Sequence, residues 1–413
     1  MAVSQDFAPP FRLIVPYFVL GAIFFILSSL ALFSVDISHL SSTDSHLLSW
    51  VHLFLLGFVM MIIFGAMAQL VPVVLEVGHF AVDLYYVIYP LLTIGTIMMG
   101  VGFLSYPWLL PFGGMIVLIS LMIFLFETFL TILKVKKLNL VMSSVLIANT
   151  FLFFGLIFGI MMAMGYSGTV SVDIPALLHA HIYLVFVGYV GITIMGMSLI
   201  LLPMFWLSHS FSWKPVENAL YIISAGVISV VISSIFDIIW LRFVGFGLSI
   251  TAFGFYFYQI YLIYTTRVRI ENDVYFYSLI FSYLSLFVSL ILGLIYLMSP
   301  NSLSPNLLLG IGWLLFLGFV TFIIIGHLYK IVPFLVWYQK FSPLIGKQKV
   351  PMLADMVPTK SASFQFVFTS SGVIISSIGI FAVNNSIFQA GVYFLFIGSV
   401  FVYKDLKYMI NYE

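Results

Sequence analysis

Eight histidines are the side chains of this sequence best suited to chemistry, and five of them lie in or beside long apolar stretches. Neutral imidazole is a common ligand for transition metals and haem iron. An ionisable group placed in hydrocarbon is costly enough to be a functional candidate by default. His52 lies five residues before Gly57, His179 and His181 lie nine and seven before Gly188, and His327 lies nine after Gly318. With those glycines aligned and a rise of about 1.5 Å per residue, His52 and His181 differ in height by about 3 Å, whereas His327 is about 21 Å further along. One ion can therefore take His52 with His181, but not His52 with His327. His179 and His181 are about 200° apart around a helix, so His179 is available to a second haem or a metal. His46 is a further candidate metal ligand, or a cap, at the start of the stretch that holds His52. The competing reading makes all of these interfacial or packing histidines. His39, His79 and His209 fall in loops and read as solvated.

These side chains have to be held by helices in a bilayer. The 413 residues are 63% hydrophobic and 7% charged, where a soluble domain carries about a quarter charged residues. The apolar residues fall in blocks near the roughly 20-residue length that spans a bilayer. The blocks predict twelve spans, at 11–35, 46–72, 83–105, 110–134, 140–165, 176–206, 216–237, 242–265, 273–298, 306–338, 362–383 and 386–408. Turn signals such as Ser105-Tyr106-Pro107, Ser299-Pro300-Asn301 and Asn384-Asn385 separate them, and the weakest break is near Asp237 to Arg242. The first block reads as a span, not as a cleaved signal. With a cytoplasmic N-terminus, fourteen of the fifteen Lys and Arg residues fall on the cytoplasmic side and Arg242 alone on the other. That split follows the positive-inside rule and puts both termini in the cytoplasm. A net charge of +1 points to no nucleic-acid partner, and the absence of cysteine removes disulfides, thiolate metal sites and cysteine catalysis.

One pattern recurs three times: GFVMMIIFGAMAQLVP from Gly57, GYVGITIMGMSLILLP from Gly188 and GFVTFIIIGHLYKIVP from Gly318. Each has glycine, an aromatic, valine, a second glycine eight residues after the first and proline seven further on. The starts are 131 and 130 residues apart, four spans each time. The expected fold is therefore an all-α integral membrane protein of about twelve transmembrane helices in three pseudo-repeated four-helix units, approximately 1–137, 138–270 and 271–413. Many secondary transporters are built instead from two matching halves. The glycines themselves read as sites of close helix approach.

The stretch from Trp50, WVHLFLLGFVMMIIFGAMAQLVP, resembles the histidine-bearing second helix of NnrS-type haem- and copper-containing membrane proteins, with Trp50 where that family has a further histidine. The stretch from His179, HAHIYLVFVGYVGITIMGMSLILLP, is similar to the haem-ligating His-x-His helix of haem–copper oxidase catalytic subunits, whose twelve helices form three quasi-equivalent quartets. There the motif is on the tenth helix; here it is on the sixth, and no His-His pair follows. The resemblance implies b-type haem held by His52 and His181, with His179 as a further cofactor ligand and copper as a second cofactor. It also implies a bacterial cytoplasmic membrane, a redox partner or respiratory complex, and a role in electron transfer, nitric oxide handling or respiratory assembly. Two other classes remain: a cofactor-free transporter or channel, and a non-catalytic scaffold subunit.

Glu127, inside the fourth span, is a candidate for a proton path or ion site, or a partner for Lys134 or another basic group. Asp237 and Arg242 read as an interfacial pair, Lys330 as a snorkelling lysine, and Arg12 as an interfacial cation. The 19 methionines read as core filling. The polar loop from Lys340 to Lys360 reads as solvated. No phosphate loop, zinc-hydrolase pattern or nucleophile constellation is present.

Overall fold

A bilayer offers no water to unpaired backbone groups, so a long apolar chain must satisfy them within helices. The computed structural model describes residues 7–39, 43–270, 272–298 and 305–413, and among these there is no strand. The Ser299–Asn301 turn lies outside the described residues. Twelve helices are long and apolar enough to cross a membrane: α1 Phe11–Ser34, α2 Ser45–Leu75, α3 Val82–Leu104, α4 Pro107–Ile132, α5 Leu140–Tyr166, α6 Ile174–Trp206, α7 Lys214–Phe236, α8 Ile239–Thr265, α9 Val274–Met298, α10 Asn306–Lys340, α11 Thr359–Phe381 and α12 Asn385–Ile410. The protein is an integral, multi-pass helical membrane protein. The expected spans agree with these to within a few residues. The break near Asp237 is a turn in which Asp237 itself ends α7 in the left-handed conformation. An even number of crossings brings both termini to one side, the terminal face; α2, α6 and α10 begin at the opposite face.

Helices α3 and α4, α7 and α8, and α11 and α12 pack as antiparallel hairpins. Contacts of α4 with α5, α8 with α9 and α12 with α1 close them into a ring. Inside it lie α2, α6 and α10, whose apolar stretches are 61, 78 and 67% buried, against at most 56% for any other span. The inner helices meet through aromatic rings: Phe316 of α10 is 4.5 Å from Phe186 of α6 and 6.1 Å from Phe54 of α2, and Trp50 is 5.4 Å from Trp313. Large apolar side chains such as Phe112, Trp240 and Leu284 cover the outside, as lipid contact requires.

Glycine sets how close the helices come. A Cβ on Gly57 would lie 2.3 Å from Phe24 of α1, on Gly188 2.8 Å from Phe151 of α5, and on Gly318 2.5 Å from Ser285 of α9. The second glycine of each motif meets the same partner helix: Gly65 against Tyr17, Gly196 against Ser144 and Gly326 against Ser278. Each hairpin also crosses glycine on glycine, with Gly95 facing Gly113, Gly226 facing Gly245 and Gly372 facing Gly391. All three inner helices contain a π-helical segment around the first glycine, at Leu53–Met60, Tyr183–Gly191 and Leu314–Val320. After the motif proline, α2 and α6 both end four residues on in a left-handed residue, Glu76 and Leu207, whereas α10 continues to Lys340.

Overpacking a tight crossing costs about 1–3 kcal/mol. Gly391→Ala, whose Cβ would lie 2.4 Å from the backbone nitrogen of Ser376, is expected to lower stability by that amount. Gly254→Ala, with nothing within 4 Å, is expected to leave stability unchanged or slightly raised. Denaturation of both variants in detergent, followed by circular dichroism, measures the difference.

Candidate cofactor site

Near the opposite face, α2 and α6 begin in the same way. Asp44 caps α2 by accepting from the Leu47 amide at 2.9 Å, and Asp173 caps α6 by accepting from the Ala176 amide at 3.1 Å. Just over two turns on stand His52, immediately before its π segment, and His181, separated from its own by Ile182. The Nδ1 of His52 is 2.8 Å from the Leu48 carbonyl, and that of His181 is 2.9 Å from the Gly155 carbonyl of α5. A carbonyl only accepts, so both Nδ1 atoms carry the proton and both Nε2 atoms keep a free lone pair. Neither Nε2 has a hydrogen-bond partner among the described residues. The two imidazoles lie within electrostatic range of each other.

The walls hold these rings in place. A Cβ on Gly159 would lie 3.0 Å from the His181 ring, so α5 offers a notch that only glycine leaves open. Phe103 of α3 lies 4.8 Å from the His52 ring, and Tyr166 of α5 lies 5.9 Å from Phe103. The Tyr166 hydroxyl is buried without a partner, as is Nε1 of Trp50.

His179, on the other side of α6, has Arg242 of α8 as its electrostatic neighbour and bonds through Nδ1 to the Pro175 carbonyl at 3.0 Å. Arg242 makes no ion pair with Asp237, which is exposed, so the expected interfacial pair is replaced by this contact. His46 is exposed at the start of α2. Among the described residues no three His, Asp or Glu side chains gather closely enough to hold a metal ion, and neither His179 nor His46 joins such a group. His327 lies well away, toward the terminal face, beside Tyr275 at 5.3 Å and Phe205 at 6.1 Å, with a buried, unpartnered Nε2.

His79 overturns the solvated reading. Its side chain is 3% exposed, with Nδ1 2.8 Å from Glu127 Oε1 and Nε2 2.7 Å from the Ala68 carbonyl. Glu127, fully buried, also accepts from the Thr131 hydroxyl, the Tyr85 hydroxyl and the Phe80 amide. A group that accepts from so many donors is a carboxylate, and His79 beside two acceptors is then an imidazolium. Lys134 instead donates to the Gly78 and His79 carbonyls. Lys330 does not simply snorkel: it is ion-paired with Asp273. Sequence reasoning also passed over Asp405 of α12, which is 1% exposed and accepts from the Tyr329 hydroxyl at 2.7 Å. Its signal was a lone acid between Lys404 and Lys407 at the end of an apolar span.

No protein-family model matches the sequence, and no curated protein shows significant similarity to it.

Removing one member of a buried ion pair strands the other charge, at a cost of about 3–5 kcal/mol. His79→Ala is expected to destabilise by that order, and Glu127→Gln added to it is expected to recover part of the loss. A double-mutant cycle of unfolding in detergent reads the coupling.

Proposed function

We propose that this is a haem-binding membrane protein in which His52 and His181 are the two axial ligands of one haem near the opposite face. The observation that carries the reading is the pair of fixed tautomers: two imidazoles within electrostatic range of each other, each donating Nδ1–H to a backbone carbonyl and presenting an unprotonated Nε2. Ligating histidines are normally oriented through such a bond on the other ring nitrogen. Two protein ligands suit an iron whose equatorial positions a porphyrin fills, and fall short of the three or four that a copper or zinc site draws from protein.

We further infer that the twelve helices are three four-helix units of the haem–copper oxidase subunit I type. Support comes from the inner glycine motifs, each on the second helix of its quartet and packed against the first, from the glycine crossings of the three hairpins, and from the three π segments. The charge split supports cytoplasmic termini in a bacterial cytoplasmic membrane.

When bound, haem supplies one-electron chemistry. His181, held across the helix interface by Gly155 and seated on Gly159, fixes the angle of one ligand plane, and His52 is fixed from within α2. Phe103 keeps water from the His52 ring. With both axial positions taken by protein no position remains for a substrate, so electron transfer fits this ligand set better than gas chemistry. Nitric oxide handling or respiratory assembly would draw on His179, on the far side of α6. A continuous transport path finds less support: Glu127 is locked to His79 near the other face, about 24 Å along α2 from His52.

Protein purified in mild detergent from haem-supplied cells is expected to give a stoichiometric pyridine haemochrome and a six-coordinate, bis-histidine reduced-minus-oxidised spectrum. His52→Ala and His181→Ala should each lose that spectrum, and His46→Ala should keep it. Haem-free wild type, or full retention in both ligand variants, would reject the assignment.

A further inference from the structure

Asp405 is buried near the terminal face, five residues before the end of α12 and so about 7.5 Å along the helix from it. The polar groups that reach its carboxyl come from two other helices. Tyr329 of α10 donates its hydroxyl to Oδ2 at 2.7 Å, and Ser361, in the first turn of α11, is the second polar neighbour. Gln365, one turn further along α11, is fully buried, and its Nε2 donates to the Thr369 hydroxyl at 2.9 Å. With the amide held in that sense, Gln365 Oε1 is turned toward Tyr329, 3.5 Å from its hydroxyl.

This cluster is short of donors. Tyr329 has one proton to give, and at 2.7 Å it goes to Asp405; the 3.5 Å approach to Gln365 is too long to share it. The Oδ1 of Asp405 is buried with no hydrogen-bond partner among the described residues, and so is the Ser361 hydroxyl beside it. Nor does a cation pair with the acid among the described residues. Lys404 acts on it only through space, being exposed with its ammonium 5.4 Å from the Phe401 ring, and Lys330 is paired with Asp273. Arg12 of α1, Lys360 of α11 and Lys407 of α12 are exposed, and Asp355 on the α10–α11 connection is exposed and accepts from the Met352 amide.

Glu127 supplies the contrast, because it stands five residues before the end of α4 as Asp405 does in α12. Glu127 accepts from two hydroxyls and an amide and is paired with His79, a donor set that suits a carboxylate. Asp405 has one hydroxyl. A buried carboxylate with so little compensation neutralises itself by taking a proton. A proton is also the one cation that needs no cavity and no further ligand.

We propose that Asp405 is a proton-binding site, in which the acid carries an exchangeable proton on Oδ1, Tyr329 fixes Oδ2 as the carbonyl oxygen, and the Ser361 hydroxyl connects the carboxyl to the terminal face. Acids inside membrane spans commonly serve proton-handling roles. The site is at the opposite end of the bundle from His52 and His181 and needs no haem, so the two assignments are tested separately.

Infrared spectroscopy of the full-length protein in detergent reads the protonation state directly. At neutral pH the wild-type minus Asp405→Asn difference is expected to contain a carboxylic C=O stretch, a band that a carboxylate lacks. The band should shift in D2O, because the proton exchanges, and it should disappear reversibly as the pH is raised. Tyr329→Phe removes the donor to that carbonyl and is expected to move the band to higher frequency, which assigns it to Asp405 even if the asparagine variant fails to fold. Carboxylate bands in the neutral-pH difference spectrum, or a carboxylic band that neither variant alters, would overturn the proposal.

Discussion

The close approach of an outer helix to two glycines of an inner helix is the contact on which the rest of the structure depends. Lipid tails are as apolar as leucine, so no hydrophobic force separates one helix surface from another inside a bilayer; contact distance and shape decide. Gly57 and Gly65 let α1 lie directly on α2, Gly188 and Gly196 do the same for α5 on α6, and Gly318 and Gly326 for α9 on α10. The inner helices are thereby withdrawn from lipid, and only there is irregular backbone tolerable. A π segment is rare inside an α-helix and is frequently found at functional sites. In α10 the Thr321 hydroxyl donates to the Phe316 carbonyl at 3.0 Å, satisfying a group the irregular turn would leave short. In α2 and α6, the residues at the entrance to the irregular turn are His52 and His181.

Polar chemistry is divided between the two faces. Toward the terminal face α4, α8 and α12 each bury an acid or amide side chain: Glu127, Gln259 and Asp405. Glu127 holds the α2–α3 connection through His79 and Phe80, and Gln259 holds the α6–α7 connection through the Ser212 carbonyl at 2.9 Å. Asp405 holds α10 through Tyr329. The first two are latches on chain connections and the third is a latch on a helix, and the low dielectric around them strengthens each. Toward the opposite face the histidines have no such latch on Nε2.

Much of the fold was legible in the sequence because the bilayer converts composition directly into helices, and because glycine at a fixed spacing has one main use in a membrane. The similar depth of His52 and His181 was legible as height along aligned helices. Other features were not. His79 looked solvated because loop position says nothing of which buried acid the loop folds over. The Lys330–Asp273 pair joins α10 to the α8–α9 connection, residues 57 apart, which no local pattern encodes. The π segments were invisible because eight or nine apolar residues carry no polar markers from which a period could be read. They leave the 3 Å comparison of His52 with His181 intact, since both histidines precede such a segment, but shorten the estimate for His327, which follows one.

A carbonyl bond to Nδ1 does not by itself make a histidine a ligand. His179 and His327 make the same bond to the carbonyl four residues back, at 3.0 and 2.7 Å, as helical histidines readily do. His179 then meets a cation, Arg242, and His327 meets the rings of Phe205 and Tyr275. His181 differs because its bond crosses to another helix and its ring is seated on a glycine notch, so its orientation is set by tertiary packing and not by a local rotamer preference. His52 differs because that second imidazole lies within electrostatic range of it. Two half-buried bases within electrostatic range of each other, with no hydrogen bond joining them among the described residues, repel when both take a proton. A shared electrophile turns that cost into a stabilising contact, and this makes the pair, more than either histidine alone, the argument for a bound iron.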